Sequence, residues 1–528
     1  MTIPAFPRFA ALLVGALAVS PHAARAELTL HPLFTDHGVL QQELPVPVWG
    51  WSDPSTKVTV AFAGQTKETT ADGDGRWQVV LDPLKASAKG AELIATSGEE
   101  SLTVSDLLVG EVWLCSGQSN MGWSVSRTLK VDAMIEEAKA GKFSRIRLFK
   151  VGIDGADERR NTVNTSWTEA TESSVPGFSA TAFYFGRALH HARNVPVGLI
   201  QSANGGTNAF SWINSETLNN DPVAQITRDY WKATVDNHPA AMAAYEKSRA
   251  AWNEKVKAAK DAGQPAPSGR APREPLGPTH VKRPAGHYNA MIAPLQPCAI
   301  RGAIWYQGEA NSRPPFAPQY RDLMFALVED WRADWATAAP SLERRDFPFY
   351  LVQLPNFAGG HAQGWPLIRE QMLKFWQEGE NTGTVVTIDT GDADDIHPMN
   401  KMPVGERLAR FARGKTYGED IVYSGPIYDS LTIENGKAVL KFKHVGGGLK
   451  STDGEPLRHF TIAGADSTFV KANAEIVGDT LVVSSPDVPD PRAVRYAWSN
   501  NPENINFAND ANLPASPFRT DSWEIVLE

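Results

Sequence analysis

Cysteine and clustered basic residues are scarce in this 528-residue sequence. Its two cysteines, Cys115 and Cys298, are too few for a disulfide scaffold or a cysteine-built zinc site. The formal net charge is −9, and no basic block of the kind that binds nucleic acid occurs. The composition therefore excludes a disulfide-rich module and argues against a nucleic-acid partner. We expect both cysteines to be inert packing residues, although an oxidising compartment would allow them to pair.

Long apolar runs are also lacking, since none approaches the roughly 18 residues of a membrane span. The run from Phe9 to Val19 has about the length of a signal-peptide apolar core, and Arg8 precedes it. The small-x-small sequence of residues 24–26 follows it. These features predict a signal peptide over residues 1–26 that is cleaved after Ala26. We therefore expect a periplasmic or secreted protein without a membrane anchor.

The pattern of predicted strands and helices changes twice along the remaining chain, which predicts three units. Short strands between turn residues over 27–105 predict an N-terminal β-sandwich. Strands that alternate with helical segments over 106–415 predict an α/β domain, a parallel sheet with helices on both faces. Short strands return over 416–528 and predict a second β-rich unit. A helical and then Pro/Gly-rich stretch, about 221–286, is predicted to be an insertion that either caps a cleft or is a surface excursion without a role.

Three predicted strands of the α/β region end in polar, glycine-containing segments. These segments are residues 116–121, 204–208 and 307–311. Functional residues of a parallel α/β sheet gather at the carboxyl ends of its strands. The sequence therefore predicts that hydroxyl, amide and glycine groups of these three segments converge on one site.

Ser119 is the candidate nucleophile of that site. It follows an apolar strand, and Gly117 permits the sharp turn that would expose its hydroxyl. The motif is not the Gly-x-Ser-x-Gly elbow of α/β-hydrolases, because Met121 occupies the last glycine position. A serine at a strand end is by itself usually a turn or cap residue, so the hypothesis depends on partners elsewhere in the chain.

The segment from Asp392 to Pro398 offers those partners. A serine nucleophile needs a base, and His397 can act as one when an acceptor orients its other ring nitrogen. Asp394 stands three residues before His397, a separation that a turn can close. The alternatives are an acidic loop with a capping histidine, or a calcium loop, because three aspartates in four residues suit a hard cation. Catalytic zinc has little support, since no HExxH or paired CxxC motif occurs.

An oxyanion requires preorganised donors, and the other two strand ends supply candidates. Gly205 and Gly206 offer unobstructed backbone N–H groups, and Gln307 offers a side-chain amide. The structural alternatives are a tight turn for the glycines and a core hydrogen bond for the glutamine.

The motifs, in their order, resemble the sialate O-acetylesterase family, a branch of the SGNH hydrolases. The similarity covers roughly 105–415 and implies a three-layer α/β/α domain of the SGNH type, with the β-rich flanks of longer members. The residues that carry it are GEVWLCSGQSNM (110–121), GGT (205–207), IWYQGEAN (304–311), REQ (369–371), DIHP (395–398) and PVGERL (403–408).

Carried over to this sequence, the resemblance implies that Ser119 is the nucleophile and His397 the general base. Asp394 fits the Asp-x-x-His spacing of SGNH enzymes and is the preferred orienting carboxylate. Asp395 is the alternative, because it is the aspartate inside the family's Asp-Ile-His-Pro text, and some relatives manage without a carboxylate.

The resemblance also implies an oxyanion hole made of the Ser119 N–H, the Gly205 N–H and the Gln307 side-chain amide. Most SGNH enzymes have Asn in the third block, where this chain has Gln307-Gly308-Glu309. It stays open at this point whether Gln307 or Glu309 faces the substrate. The expected substrate contacts are Gln118, Asn120, Glu309 and Arg369.

The sequence is therefore interpreted as an exported serine esterase that removes O-acetyl groups from carbohydrates without metal or cofactor. Its substrate is either an O-acetylated sialic acid or an acetylated plant polysaccharide such as xyloglucan or xylan. A sialate carboxylate would call for an arginine, and Arg313, Arg369 and Arg407 are available. A carbohydrate-binding protein with a decayed esterase centre and a short-chain lipase or thioesterase are the rival functions. The sequence does not indicate an oligomeric state.

Overall fold

The structure is a computed structural model that describes residues 1, 27–338 and 346–527. Residues 2–26 of the predicted signal peptide, with its cleavage site, lie outside the described residues. Among the helices of the described ranges, none is both long and apolar enough to cross a membrane.

The N-terminal part is built mainly of antiparallel strands, and β2 pairs in parallel with β8. In β4 and β6 every second residue is buried, as expected for strands with one face on a core. β3 pairs with β1 and β6, β4 pairs with β5 and β7, and β7 pairs with β8. The strands are β1 (Thr29–Leu30), β2 (Val39–Gln41), β3 (Val46–Trp51), β4 (Lys57–Phe62), β5 (Gln65–Thr70), β6 (Arg76–Leu81), β7 (Ser87–Ser97) and β8 (Glu100–Gly117).

β8 belongs to two sheets at once. Its first half pairs antiparallel with β7, and its second half is a buried strand of the parallel sheet. Residues 107–117 are all buried, because both faces of this half are covered. The domain boundary that we placed between residues 105 and 106 therefore falls inside one continuous strand. The N-terminal strands and the α/β region also share one hydrophobic core.

The central sheet has the order β10-β9-β11-β8-β12-β13-β14. All its neighbours are parallel except β10, which runs antiparallel to β9. The mixed α/β class predicted from the sequence is thereby confirmed. The added strands are β9 (Ile146–Lys150), β10 (Trp167–Glu169), β11 (Val197–Ala203), β12 (Gly302–Tyr306), β13 (Phe349–Val352) and β14 (Thr382–Val385).

The helices pack against this sheet from two directions. Successive side chains of a strand point to opposite faces, and on β13 Phe349 contacts Trp331 and Phe375 while Tyr350 contacts Phe411. The helices are α1 (Ser119–Gly122), α2 (Val131–Lys139), α3 (Ala180–Arg193), α4 (Ser215–Asn220), α5 (Gln225–Asp261), α6 (Tyr320–Ala338), α7 (Gly364–Glu378) and α8 (Met402–Lys415). Single-turn helices cover Val125–Arg127, Val175–Gly177, Ala209–Trp212, Pro222–Ala224, Tyr288–Ile292, Ala293–Leu295, Glu309–Asn311 and Ala317–Gln319.

The C-terminal unit begins just after α8 and is built of antiparallel strands around its own core. Two residues after β14, Val386 and Ile388, join that core. The strands are β15 (Ile427–Glu434), β16 (Lys437–Lys443), β17 (Leu449–Ser451), β18 (Phe460–Ala463), β19 (Val470–Lys471), β20 (Asn473–Val477), β21 (Thr480–Ser484), β22 (Ala493–Tyr496), β23 (Phe507–Asn509) and β24 (Phe518–Arg519).

The insertion is the long helix α5 followed by a loop that folds back along it. The loop is fixed by a bond of 3.1 Å between His238 Nδ1 and the Leu276 carbonyl. At its end, Lys282 Nζ donates to the Gly206 carbonyl at 3.4 Å. The insertion therefore returns to the edge of the sheet where the polar strand ends lie.

Candidate active site

The three polar segments lie side by side, because the strands before them are neighbours in register. Gly117 at the end of β8 pairs with Ala203 on β11 and with Tyr306 on β12. Gly117 has a φ of 134°, and a Cβ on it would lie 2.2 Å from the Tyr306 carbonyl oxygen. Only glycine fits this approach. The tight turn delivers Ser119 to the first position of α1.

His397 meets Ser119 from the loop between β14 and α8. Its Nε2 lies 2.8 Å from Ser119 Oγ, which is hydrogen-bonding distance. Burial is the main cause that lowers the pKa of His397 below its usual value. The cations of Lys401, Arg270 and Arg127 lower it further, against the opposing charge of Asp395. The imidazole is thus held in its neutral form near neutral pH, as a general base requires.

The carboxylate beside the imidazole is that of Asp395. Its Oδ1 lies 3.6 Å from His397 Nδ1 and accepts the His397 backbone N–H at 2.9 Å. Asp394, the preferred residue on sequence grounds, is exposed, and its own N–H donates to Asp392 Oδ1 at 2.9 Å. The carboxylate beside the ring thus stands two residues before His397, whereas the Asp-x-x-His spacing predicts three. The geometry therefore favours the alternative, Asp395.

We expect Asp395→Asn to lower kcat/KM by about tenfold, because the carboxylate is half exposed and beyond hydrogen-bond length. Loss of its charge also removes the influence that raises the pKa of His397, so the acid limb of the pH profile should move to lower pH. Asp394→Asn is the matched control and should change neither quantity. Hydrolysis of p-nitrophenyl acetate across the pH range measures both. An equal loss in Asp394→Asn would restore the original assignment.

The same loop does not have the geometry of a calcium site. One carboxylate, that of Asp392, is used to accept backbone N–H groups of Asp394 and Asp395. Among the described residues, the acidic and histidine side chains that converge closely enough to hold a metal are His37, Asp106 and Glu169, in another part of the molecule. There Arg147 already forms ion pairs with both Asp106 and Glu169.

Gly205 approaches the nucleophile closely. A Cβ built on it would lie 3.2 Å from Ser119 Cβ. Within the described chain no protein group accepts its backbone N–H. Gly206, with a φ of 66°, makes the turn that follows. The predicted oxyanion donor therefore lies close to Ser119 and has no protein acceptor among the described residues.

Gln307 does not face this position, contrary to our prediction. It is fully buried, and its Nε2 donates to the Thr207 carbonyl at 3.0 Å and to Asn311 Oδ1 at 2.7 Å. Its Oε1 accepts from the Tyr320 hydroxyl at 2.9 Å. An amide has two N–H donors, and both are occupied. Gln307 therefore ties two active-site segments together and has no donor left for an oxyanion.

Gln118 is the amide with free donors next to the nucleophile. Its Oε1 accepts the Ala310 N–H at 3.3 Å. Its Nε2 has no hydrogen-bond acceptor among the described residues, and it is not one of their fully enclosed polar atoms. Gln118, predicted as a substrate contact, thus keeps an N–H donor without an acceptor among the described residues.

Asn120 and Glu309 are not available to substrate, in contrast to our prediction. Both are buried, and Asn120 Nδ2 donates to Glu309 Oε1 at 2.5 Å and to the Ile396 carbonyl at 3.0 Å. Asn120 Oδ1 accepts from Lys401 Nζ. The residues belong to an internal network behind the site, because both polar side-chain atoms of Asn120 already have protein partners.

Two of the three arginines considered for a sialate carboxylate are engaged elsewhere. Arg369 is fully buried and donates to backbone carbonyls, so its assignment as a substrate contact is wrong; these carbonyls are those of Leu354, Pro355, Ser499 and Asn500. Arg407 forms two bonds to the Asp389 carboxylate. Arg313 is exposed just beyond the third segment and stays a candidate.

Sequence reasoning missed three residues at the site. Trp123 stacks on the His397 ring, with centroids 4.6 Å apart and planes 10° apart. The Arg127 guanidinium lies 5.0 Å from the Trp123 ring. Arg270 comes from the inserted loop and is close enough to lower the pKa of His397. The position of Trp123 near the serine motif was a usable signal, whereas nothing local to Arg270 indicates its proximity.

Comparisons with known proteins agree with these motifs. Residues 109–244 and 278–413 match the family described as carbohydrate esterase, sialic acid-specific acetylesterase. The chain belongs to this family. Membership confirms the resemblance drawn from the motifs, and with it the class of carbohydrate O-acetylesterase.

Named relatives extend beyond the matched residues. A sialate O-acetylesterase of Mus musculus is 33% identical over 74% of this chain and 74% of its own length. That of Homo sapiens is 29% identical over 77% and 74%. A crystal structure of a carbohydrate acetylesterase from Xanthomonas citri, 34% identical, superposes with a TM-score of 0.77 and covers 94% of this chain and 100% of its own. The similarity to that structure therefore includes both β-rich flanks.

Both cysteines are free thiols in the structure. Burial raises the pKa of each, that of Cys298 to about 12. A thiol reacts as its thiolate, so neither side chain is activated as a nucleophile.

Proposed function

We propose that the protein is an exported serine esterase of the SGNH type that removes O-acetyl groups from carbohydrates, with β-sandwich-like units on either side of its α/β/α domain. The observation that carries the proposal is the bond of 2.8 Å between Ser119 Oγ and His397 Nε2, beside the free Gly205 N–H. A carbohydrate-binding module has no need for this pairing. A lipase or thioesterase would need an apolar acyl channel, whereas at this site the ring of Trp123 lies among polar or charged residues such as His397, Asp395 and Arg127.

In the first step, Ser119 Oγ attacks the acetyl carbonyl carbon while His397 Nε2 accepts the hydroxyl proton. The carbonyl oxygen becomes an oxyanion that accepts hydrogen bonds from the N–H groups of Ser119 and Gly205. The side-chain amide of Gln118, the residue before Ser119, is a further donor. The tetrahedral intermediate then collapses. The bond to the sugar oxygen breaks, and His397 returns the proton to that oxygen.

In the second step, a water molecule attacks the acetyl-enzyme. His397 Nε2 takes one proton from this water and later transfers it to Ser119 Oγ, so that acetate leaves and the serine is restored. Asp395 and the face of Trp123 lie next to the imidazolium that forms in both steps. A cation over an aromatic face is stabilised by about 0.5–2 kcal/mol.

O-acetylated sialic acid is the substrate that we favour. Arg127 and Arg270 bring positive charge to the site, and a sialate carries a carboxylate near its acetylated side chain. Relatives named sialate O-acetylesterase support the same choice. Acetylated xyloglucan or xylan is the second candidate, because the similarity to the Xanthomonas citri carbohydrate acetylesterase spans nearly the whole chain.

The proposal is tested by acetate release from O-acetylated sialic acid and from acetylated xyloglucan and xylan, with the wild type and Ser119→Ala in parallel. We expect release that disappears in the variant, with the sialate preferred. Release from the polysaccharides alone would replace the sialate as substrate. Release from none of them would favour the binding-module function.

The arginines provide a separate prediction about specificity and pH. Arg127→Gln and Arg270→Gln should each raise KM for an O-acetylated sialate by about tenfold, the loss of one charge-assisted contact. KM for neutral p-nitrophenyl acetate should not change. Each substitution also removes a cation that lowers the pKa of His397, so its acid limb should shift to higher pH.

The direction of this shift of the acid limb follows from the mechanism, which needs neutral His397. Activity is lost as pH falls through the pKa of His397, below its ordinary value of about 6.5. Lys260→Gln, on an exposed position of the same insertion, is the control. An unchanged KM for the sialate in both arginine variants would remove the argument for an anionic substrate.

A further inference from the structure

Behind Ser119 and His397 lies a buried polar cluster that the proposed reaction does not use. It consists of Lys401, Asn120 and Glu309, which are 0%, 0% and 7% exposed. Asn120 directly follows Ser119, Glu309 follows β12, and Lys401 directly precedes α8. The cluster thus joins three separate segments that carry or border the site.

When Lys401 is protonated and Glu309 is ionised, the side-chain amide of Asn120 has only one favourable orientation in this cluster. Lys401 Nζ donates to its Oδ1, and its Nδ2 donates to Glu309 Oε1 at 2.5 Å. An ammonium group only donates and a carboxylate only accepts. Rotation of the amide by 180° would place its N–H groups against Nζ and its oxygen against the carboxylate. Lys401 and Glu309 together therefore fix which way the amide points.

That orientation has a consequence for His397. The second N–H of Asn120 Nδ2 donates to the Ile396 carbonyl at 3.0 Å. This carbonyl belongs to the peptide bond whose nitrogen is that of His397. The residue after the nucleophile thus holds the peptide before the general base, and the distance between Ser119 Oγ and His397 Nε2 depends on this bond.

Burial of Lys401 and Glu309 lowers the stability of the fold, because charged groups lose their hydration there. A charged cluster kept buried at this cost is expected to have a role at the site. Glu309 Oε2 is enclosed without a hydrogen-bond partner. Burial lowers the pKa of Lys401 to about 7, while the charges of Glu309 and Asp395 act in the opposite direction. The Tyr306 ring lies 5.5 Å from Nζ, and the ammonium in turn lowers the pKa of His397.

We infer that Lys401 and Glu309 are positioning residues that act through Asn120 to hold His397 in line with Ser119. The inference rests on the proposed serine esterase mechanism and adds residues that do not themselves touch the substrate. It explains why the amide directly after the nucleophile points away from the substrate side and into the protein.

The first test is a double-mutant cycle on kcat for p-nitrophenyl acetate. We expect Asn120→Ala and Lys401→Met each to lower kcat by about 30- to 100-fold with KM within about threefold, because a small displacement of the base has this cost. The double variant Asn120→Ala/Lys401→Met should have a kcat at most about threefold below that of Asn120→Ala, because the two substitutions break the same linkage. Lys415→Met, exposed at the other end of α8, should behave as the wild type.

The pH profile distinguishes positioning from a general loss of packing. Lys401→Met removes a cation that lowers the pKa of His397, so its acid limb should move to higher pH. Asn120→Ala removes no charge and should lower the rate with the limb in its wild-type place. Glu309→Gln can still accept from Asn120 and should recover most of the activity that Glu309→Ala loses.

Thermal unfolding establishes that each variant is folded. Wild type that releases no acetate, or Ser119→Ala that releases as much as the wild type, contradicts the proposed function itself. With those two controls as expected, folded Asn120→Ala or Lys401→Met with wild-type kcat overturns the inference alone, as do losses that multiply in the double variant. Where a variant at 120 or 401 does not fold, the Glu309→Ala and Glu309→Gln pair decides, and equal activities in that pair also overturn it.

Discussion

Ser119→Ala should lower kcat for ester hydrolysis by roughly 10⁴-fold or more, the range found when a serine nucleophile is removed. Without Oγ no acetyl-enzyme can form, and His397 Nε2 loses the partner that lies at 2.8 Å. KM should change by less than about threefold, because the Gly205 N–H and the neighbouring side chains are not altered. Stopped-assay acetate release and p-nitrophenyl acetate hydrolysis measure these quantities.

Ser124→Ala is the matched control for this variant. Ser124 lies five residues further along the same segment, where its hydroxyl pairs with that of Ser126 at 2.9 Å. The same loss of one oxygen there should leave kcat within about twofold. A second measurement is the acetyl-enzyme itself, which mass spectrometry of the quenched wild type should detect as an adduct on the peptide that carries Ser119. Wild-type kcat in Ser119→Ala, or an adduct elsewhere, would assign the nucleophile to another residue.

The convergence of the segments that follow β8, β11 and β12 could be foreseen from the sequence, because it depends on rules that apply along the whole chain. Apolar runs of four to eight residues, each followed by glycine and polar residues, predict parallel strands whose ends share one edge. The ends of β8 and β11 follow that rule. The rule predicts which segments lie close together, but it does not predict which hydrogen bonds their side chains form.

The roles of the amides could not be foreseen for that reason. Gln307 and Asn120 follow strands of the site as predicted, yet the side-chain N–H groups of both donate to acceptors inside the protein. Whether an amide is free depends on all its neighbours, which come from distant parts of the chain. The partner of Asn120, Lys401, is 281 residues away. The choice between Asp394 and Asp395 likewise depends on where one turn closes.

The continuity of β8 has a comparable explanation. Alternating exposure over its first half and complete burial over its second half are two different patterns, and a change of pattern is the usual sign of a domain boundary. Here the change marks the point where one strand passes from a half-exposed antiparallel sheet into a sheet that is covered on both faces.

Arg369→Met should destabilise the protein by about 3 kcal/mol, because the Leu354 and Ser499 carbonyls lose the donor described for them, at about 1–3 kcal/mol each. The guanidinium donates to Leu354 and Pro355 after β13 and to Ser499 and Asn500 of the C-terminal unit. It has no carboxylate partner among these contacts, and burial lowers its pKa to about 9. The side chain therefore connects the C-terminal unit to the α/β sheet through these hydrogen bonds.

The same substitution should reduce kcat, since the joint that it breaks lies next to the His397 loop. The Phe357 N–H donates to the Asn500 carbonyl at 3.0 Å, and the Ala358 N–H donates to the Ala393 carbonyl at 2.9 Å. A shift of the C-terminal unit is thus passed through two backbone bonds to the segment that carries the base. We expect a loss of about tenfold in kcat for the folded variant, an effect of about 1.4 kcal/mol.

Denaturant unfolding and kcat, measured on the same preparations, test both parts of this prediction. Arg492→Met is the control, because Arg492 lies on the surface of the C-terminal unit and pairs only with exposed Asp490 among the contacts described. It should shift the unfolding free energy by less than about 0.5 kcal/mol. An Arg369→Met variant as stable as this control would show that the two units are held together by apolar packing alone. A less stable variant with full kcat would show instead that the position of His397 does not depend on the C-terminal unit.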